Sequence, residues 1–309
     1  MSYSFDWLDP GVVDDGDETF RVRRRYPSAL AESIERCGLQ TPVLLEPILG
    51  SAPQRHRLVS GWGRWLYRPN GLKVPAFVLP TGLEREAVWD EFVRRNDRWN
   101  VMEVARISAR LREVPGLDPD RLVREKFPLL GLRASLELYR QHLRLLDLGE
   151  TARDFVEEGD LPLKRASALL KLPPETTDEV IVASRQLHLS LNELAEVLEH
   201  LEEISHRDGV SAREVLRAAQ ADLSGGGKRA FRVYLHDRRY PRLRRYRAEL
   251  EAYRKALRFT MPVRVEWDPQ LERPGFRLTV DLSCRQALED FALQSEENRA
   301  ALERFFEIL

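Results

Sequence analysis

The apolar positions divide the chain into three segments with different periods. Up to about residue 112, short apolar runs alternate with helical spacings. Leu30, Ile34 and Cys37 share one face of a helix that Gly38 ends as a left-handed cap, and Pro42 keeps it from resuming. Residues 43–47, 57–60 and 74–79 are apolar runs bounded by Gly or Pro and predict strands; a helix follows over about 84–95. From Asp118 to about Leu223 the pattern is helical throughout. Asp118 is a good N-cap, with Pro119 at the first helical position and Leu122, Val123 and Phe127 on an apolar face. After a turn ending at Gly131, the spacing of Leu132, Leu136, Tyr139, Leu143 and Leu146 predicts one continuous helix. Arg133, Ser135, Arg140, Gln141 and Arg144 surround that stripe, and the two helices have the shape of a helix-turn-helix.

Two further helices start at capping boxes, Ser190 with Glu193 and Ser211 with Glu214, and Leu194, Val197, Leu198 and Leu201 read as bundle core. Ser224, Gly225, Gly226 and Gly227 form a plain linker. Beyond it, Val263, Val265 and Trp267 alternate, as do Phe276, Leu278, Val280 and Leu282. A final amphipathic helix is expected over about 285–308. The expected fold class is therefore α+β: a mixed domain over 1–112, an all-helical domain over 113–223 and a small α+β module over 228–309.

Charge sharpens the last segment. The chain of 309 residues has a formal net charge of −1, yet residues 228–258 hold 12 Lys/Arg against Asp237, Glu249 and Glu251, a formal +9. A solvated face explains this, and so does a nucleic-acid footprint interleaved with Tyr240, Tyr246 and Tyr253. No apolar run approaches the roughly 20 residues that span a bilayer, so no membrane contact is expected. The start lacks the basic and apolar regions of a secretory leader, which points to the cytoplasm. Cys37 and Cys284 are too few for a disulfide framework and read as small core residues. The six histidines are scattered without metal spacing, so neither a metal site nor a required cofactor is read.

One turn carries candidate chemistry. The 57–60 strand runs into Gly61, Trp62, Gly63 and Arg64 at the start of a helix. Glycines there let the backbone approach an anion, and free amides supply donors. A tight turn with no ligand fits the same residues.

The order of these elements resembles the ParB family of chromosome and plasmid partition proteins, whose N-terminal domain shares its fold with sulfiredoxin. The first family box, a helix followed by Gly-Leu-x-x-Pro-Ile-Val, is matched by Gly38, Leu39, Pro42 and Val43. The second, Gly-Glu-Arg-Arg-x-Arg, is matched at Gly61 and Arg64, while Gly63 and Leu66 replace two arginines. Asn100, Glu103 and Ala105 are similar to a further family run. The Glu-Asn pair that precedes it, and handles magnesium, is Arg95 and Asn96 here. Helices with Glu157, Glu158 and Leu161, then Arg165 and Leu169, look like those after the family's DNA-reading unit, with Arg165 where the family carries His. The turn holds no reactive Cys, which excludes sulfiredoxin chemistry.

The resemblance implies a DNA-binding protein of the partition or transcription-regulator type, associated with the nucleoid. Arg133, Ser135, Arg140, Gln141, Arg144 and Arg165 are the expected contacts with double-stranded DNA. It implies a homodimer and leaves room for a protein partner on the C-terminal module. It also implies a pocket for CTP and magnesium at Gly38, Gln40, Pro42, Gly61, Gly63, Arg64 and Asn96. The lost arginines and carboxylate predict weak or absent CTP binding and no catalytic residue. Asp90, Glu91, Asp97 and Glu103 are read as a solvated face. The alternatives are a nucleotide-hydrolysing enzyme of the CTPase or nuclease type and a protein-interaction scaffold.

Overall fold

Three consecutive apolar residues, Val43, Leu44 and Leu45, are each buried, and a strand buried on both faces must be an inner strand. In the computed structural model, which describes residues 3–96, 98–221 and 227–309, they lie on β3 (Val43–Ile48), the middle of a five-stranded sheet. The other strands are β1 (Ser4–Leu8), β2 (Val13–Asp14), β4 (Arg55–Ser60) and β5 (Val74–Val78), in the order β1-β5-β3-β4-β2. β3 runs antiparallel to β4 and parallel to β5. The two outer strands escape the hydrophobic pattern for a physical reason: β1 is almost wholly exposed and β2 is two residues long.

Around the sheet lie α1 (Ser28–Cys37), α2 (Trp62–Leu66), α3 (Arg85–Arg94) and α4 (Val101–Leu111). Gly38 ends α1 at a φ of +70°, with its N–H on the Ile34 carbonyl at 2.8 Å. Cys37 is exposed at that helix end, and Cys284 is exposed too, so the expectation of two core thiols is wrong. Each stands at a helix boundary, where side chains turn outward.

The helical segment continues with α5 (Pro119–Lys126), a 3-10 turn at Pro128–Leu130, and α6 (Leu136–Arg144). The predicted continuous helix from Leu132 starts four residues late. Ser135 accepts a hydrogen bond from the Leu138 N–H and so caps α6, leaving Leu132 and Arg133 in the approach loop. α7 (Glu150–Glu158), α8 (Leu163–Ala168) and α9 (Pro174–Gln186) follow. One apolar core runs from Phe20 and Trp89 through Val104, Ile107 and Leu111 to Leu122, Phe127 and Tyr139. It crosses residue 112 without a break, and the chain divides instead into two compact units, residues 1–185 and 186–309.

The second unit holds α10 (Leu191–Asp208), α11 (Ala212–Ala221), α12 (Gly227–Arg239) and α13 (Pro241–Ala256). The hairpin of β6 (Val263–Trp267) and β7 (Phe276–Val280) follows, then α14 (Arg285–Glu297) and α15 (Arg299–Phe306). Leu194, Val197, Leu198 and Leu201 are buried, as bundle core should be. Of the linker, Gly227 opens α12 and residues 224–226 lie outside the described residues. The single terminal helix expected over 285–308 breaks at Asn298. Its buried amide accepts from the Arg258 N–H at 2.8 Å and donates to the carbonyls of Arg258 and Gln294. Such side-chain bonds compete with the helix ladder.

Lys126 joins α5 to α3. It is 4% exposed, and its ammonium donates to Asp90 and reaches Glu86, both at 2.7 Å. Burial opposes its charge, but the hydrogen bonds to Asp90 and Glu86 outweigh burial and hold it above the usual lysine range. The Lys126 bond in turn depresses Glu86. Lys126→Met should lower stability by about 2 kcal/mol, below the 3–5 of a fully buried pair because the carboxylates keep some water. A depressed carboxylate stabilises above its ordinary range and loses that as pH falls; a raised lysine stabilises until pH rises through its own value. Urea unfolding of both proteins should therefore show a constant difference between about pH 6 and 9 that shrinks toward pH 3.

Candidate functional site

The turn after β4 is shaped by its two glycines. Gly61 has a φ of +100°, and a Cβ there would lie 2.9 Å from Val43 Cγ1. A Cβ on Gly63 would lie 2.6 Å from both Leu30 Cδ2 and Tyr26 Cδ1. Trp62 and Trp65, both buried, pin the short α2 to the core beneath the sheet. The space that glycine opens at position 63 is thus already taken by the side chains of Tyr26 and Leu30.

Arg64 is likewise engaged. Its Nη1 donates to the carbonyls of Thr41 and Pro42 at 2.9 and 2.7 Å. Burial, with the nearby charge of Arg95, pushes its pKa below the usual arginine range. Gly61, Gly63, Arg64 and Asn96 do line one pocket, of about 240 Å³, smaller than the roughly 300–1,000 Å³ of ordinary ligand sites. Pro42 takes part only through its carbonyl, and Gly38 and Gln40 are exposed outside it.

The carboxylates nearby are committed. Glu103 is 1% exposed, so the solvated-face reading fails for it: it accepts from the Asn100 N–H at 2.9 Å and from Arg23 Nε at 2.6 Å. Asp90 pairs with Lys126, and Glu91 accepts from the Tyr3 hydroxyl, which raises the tyrosine pKa. Asp97 lies outside the described residues. Among the described residues, no group of three or more His, Cys, Asp or Glu is placed to hold a metal ion.

A second surface lies on α6 and α8. Arg133, Arg140 and Arg144 are exposed and make no ion pair with the described residues. Ser135 is spent as the α6 cap, and Gln141 donates to Glu137 at 2.9 Å. Gln141 and Arg144 share a groove of about 420 Å³ with Lys164 and Ser167 of α8. Arg165 is exposed on the same helix. The structure thus adds Lys164 and Ser167, which only the packing of α8 against α6 reveals.

The basic segment of the second unit has a different fate. Lys228 and Arg232 pair with Glu193 at 2.6 and 2.9 Å, Arg232 also with Glu196 at 2.7 Å, and Arg239 with Glu203 at 2.6 Å. Arg245 and Arg254 pair within α13, with Glu249 and Glu251. The Lys228 hydrogen bond, with the Ser190 N–H, pulls Glu193 down to about 2. The side chains of Arg229, Arg242, Lys255 and Arg258 have no ion pair or carbonyl partner among the described residues. No helix there is long and apolar enough to cross a membrane.

If the turn is held by its own side chains, it should be sensitive to mutation with no ligand present. Gly63→Ala should cost about 1–3 kcal/mol through overpacking against Tyr26 and Leu30. Arg64→Ala, which strips two carbonyls of their donor, should cost about 1–2 kcal/mol. Thermal melts of the nucleotide-free proteins check both.

No family model matches this chain, and no curated protein does. Among solved structures, it is similar to a C-terminally truncated chromosome-partitioning protein ParB from Caulobacter crescentus complexed to the centromeric parS site. Identity is 21%, coverage 61% of this chain and 96% of that one, and the TM-score 0.33. A second structure of that truncated protein, complexed with CTP-gamma-S, matches at 21% identity over 59% of this chain and 99% of that one, with a TM-score of 0.25.

Proposed function

We propose that this chain is a ParB-like DNA-binding protein whose nucleotide pocket has closed on itself. In this reading α5 and α6 form a helix-turn-helix, and α6 reads duplex DNA. The observation that carries it is the state of the basic side chains. Those of α6 stand exposed without ion pairs beside the Lys164 groove, whereas most of the charge on α12 is consumed by α10. The sequence boxes around Gly38 and Gly61 supply the family resemblance. Ser135 serves as a cap, so Arg133, Arg140, Gln141, Arg144 and Arg165 remain the proposed contacts.

The pocket reading follows from Arg64 and Tyr26. A triphosphate would have to displace an arginine bonded to two carbonyls and a half-buried tyrosine, in a space of about 240 Å³. CTP binding is therefore weak or absent, and among the described residues Asp90, Glu91 and Glu103 are committed to other partners rather than free to orient water.

Homodimerisation is assigned to the terminal module. The fully buried residues of the cluster around its hairpin are Leu250, Val265 and Phe305, while Leu288, Leu293 and Phe306 are 54%, 64% and 66% exposed. So small a core calls for additional burial.

Selection from a random DNA pool, then binding across a salt series, tests the DNA reading. Arg140→Ala with Arg144→Ala should weaken the selected site at least tenfold, because one bidentate Arg–guanine contact is worth about 1–3 kcal/mol. Charge-removing changes at Arg229, Arg242, Lys255 and Arg258 should alter the salt slope by less than about 0.9, the value of one phosphate contact. Unchanged affinity in the double variant would remove α6 from consideration. Calorimetry with CTP and magnesium should give no saturable heat; micromolar binding lost in Arg64→Ala would refute the closed pocket.

A further inference from the structure

The outer edge of β1 has features that DNA binding does not use. β1 pairs only with β5, in the register Phe5↔Phe77, Asp6↔Ala76 and Trp7↔Pro75. Proline has no N–H, so Trp7 and Pro75 cannot be a pair that exchanges two hydrogen bonds. Antiparallel pairs alternate, which makes Phe5 and Phe77 a non-bonded pair as well. The N–H and C=O groups of Phe5 and Trp7 therefore point away from the sheet. Among the described residues, no strand pairs with them.

The two side chains above this edge are aromatic and exposed. Phe5 and Trp7 are each 53% exposed, with ring centroids 6.3 Å apart in an edge-to-face contact, and Phe5 also meets Phe77 at 5.7 Å. Natural edge strands are usually guarded by lysine, proline or a bulge. Here the single guard is Asp6, whose Oδ1 accepts the Trp7 N–H at 2.7 Å. Asp6 supplies the negative charge on this strand, and Asp9 follows it in the chain.

We propose that β1 accepts an extended basic peptide segment as a sixth strand. Residues of the peptide opposite Phe5 and Trp7 are apolar and lie against the aromatic pair. The residue opposite Asp6 is Lys or Arg. Its cation draws the Asp6 carboxylate off the Trp7 N–H and frees that amide to join the new ladder. Backbone bonds supply affinity, and the alternating side chains supply selection. A second copy of this chain fits less well, because antiparallel pairing of β1 with itself about Asp6 sets two carboxylates against each other.

The test uses the full chain and a short alternating valine–lysine peptide, blocked at both ends. Binding should slow amide exchange at Phe5 and Trp7, and methylating alternate peptide nitrogens should weaken it at least tenfold, the loss of about 1.4 kcal/mol. Asp6→Lys, a surface change that leaves the β5 ladder intact, should weaken binding by a similar factor. An alternating valine–glutamate peptide should not bind. The proposal is overturned if the valine–lysine peptide gives no protection at millimolar concentration, or if the methylated or glutamate peptides bind equally well. It is overturned equally by protection that appears with protein concentration alone, which assigns the edge to a second copy. Trp7 perturbed by oligothymidylate but not by peptide would assign the aromatic pair to base stacking instead.

Discussion

The arrangement of the first unit depends on one continuous apolar core. Phe20, Trp89 and Phe92 stack beside the sheet, with ring centroids 4.5 to 5.6 Å apart. From there the core passes along the buried face of α4 to Phe127 and Tyr139 under α6. The sheet and the helix proposed to read DNA therefore share a foundation. Because close-packed interiors transmit small displacements, a change in α4 would be felt at α6. The rim of this core is held by charge: Arg25 pairs with Asp154 and Glu158, and Arg24 with Glu150. These pairs are exposed and worth little singly, so hydrophobic burial carries the stability.

Charge in the second unit is arranged differently. A helix rich in glutamate faces one rich in arginine, and their pairing offsets part of the formal +9 of that segment. Local net charge along a sequence is thus a poor guide to electrostatic footprint when the opposing charges lie on another helix. Only charges left over after folding can attract a polyanion. By that criterion Arg140 and Arg144 of α6, which have no ion pair among the described residues, count toward a footprint, and the paired Arg232 and Arg239 of α12 do not.

Much of this was legible in the sequence where a single residue enforces the local geometry. Gly38, Asp118 and the boxes at Ser190 and Ser211 act as caps because their backbone or side-chain chemistry leaves little choice. The inner strands were legible because burial on both faces demands a run of apolar residues. Legibility failed where two signals competed. Ser135 was a visible cap, but Leu132 extended the stripe and masked it. Asn298 breaks a helix without Gly or Pro, through bonds to a loop 40 residues away. The occupation of the Gly63 space by Tyr26 and Leu30, and the burial of Glu103, depend on packing that no local pattern encodes.

The engagement of Arg64 with Thr41 and Pro42 has a consequence for regulation. A freely diffusing ligand acts as a messenger because its concentration varies, so the fraction of protein it occupies carries information. A side chain tethered within the same chain is present at a fixed, high effective concentration. On the closed-pocket reading proposed above, a turn held by its own arginine keeps one state and does not report on the solution. Control of such a protein passes to whatever sets how many copies there are and where they gather.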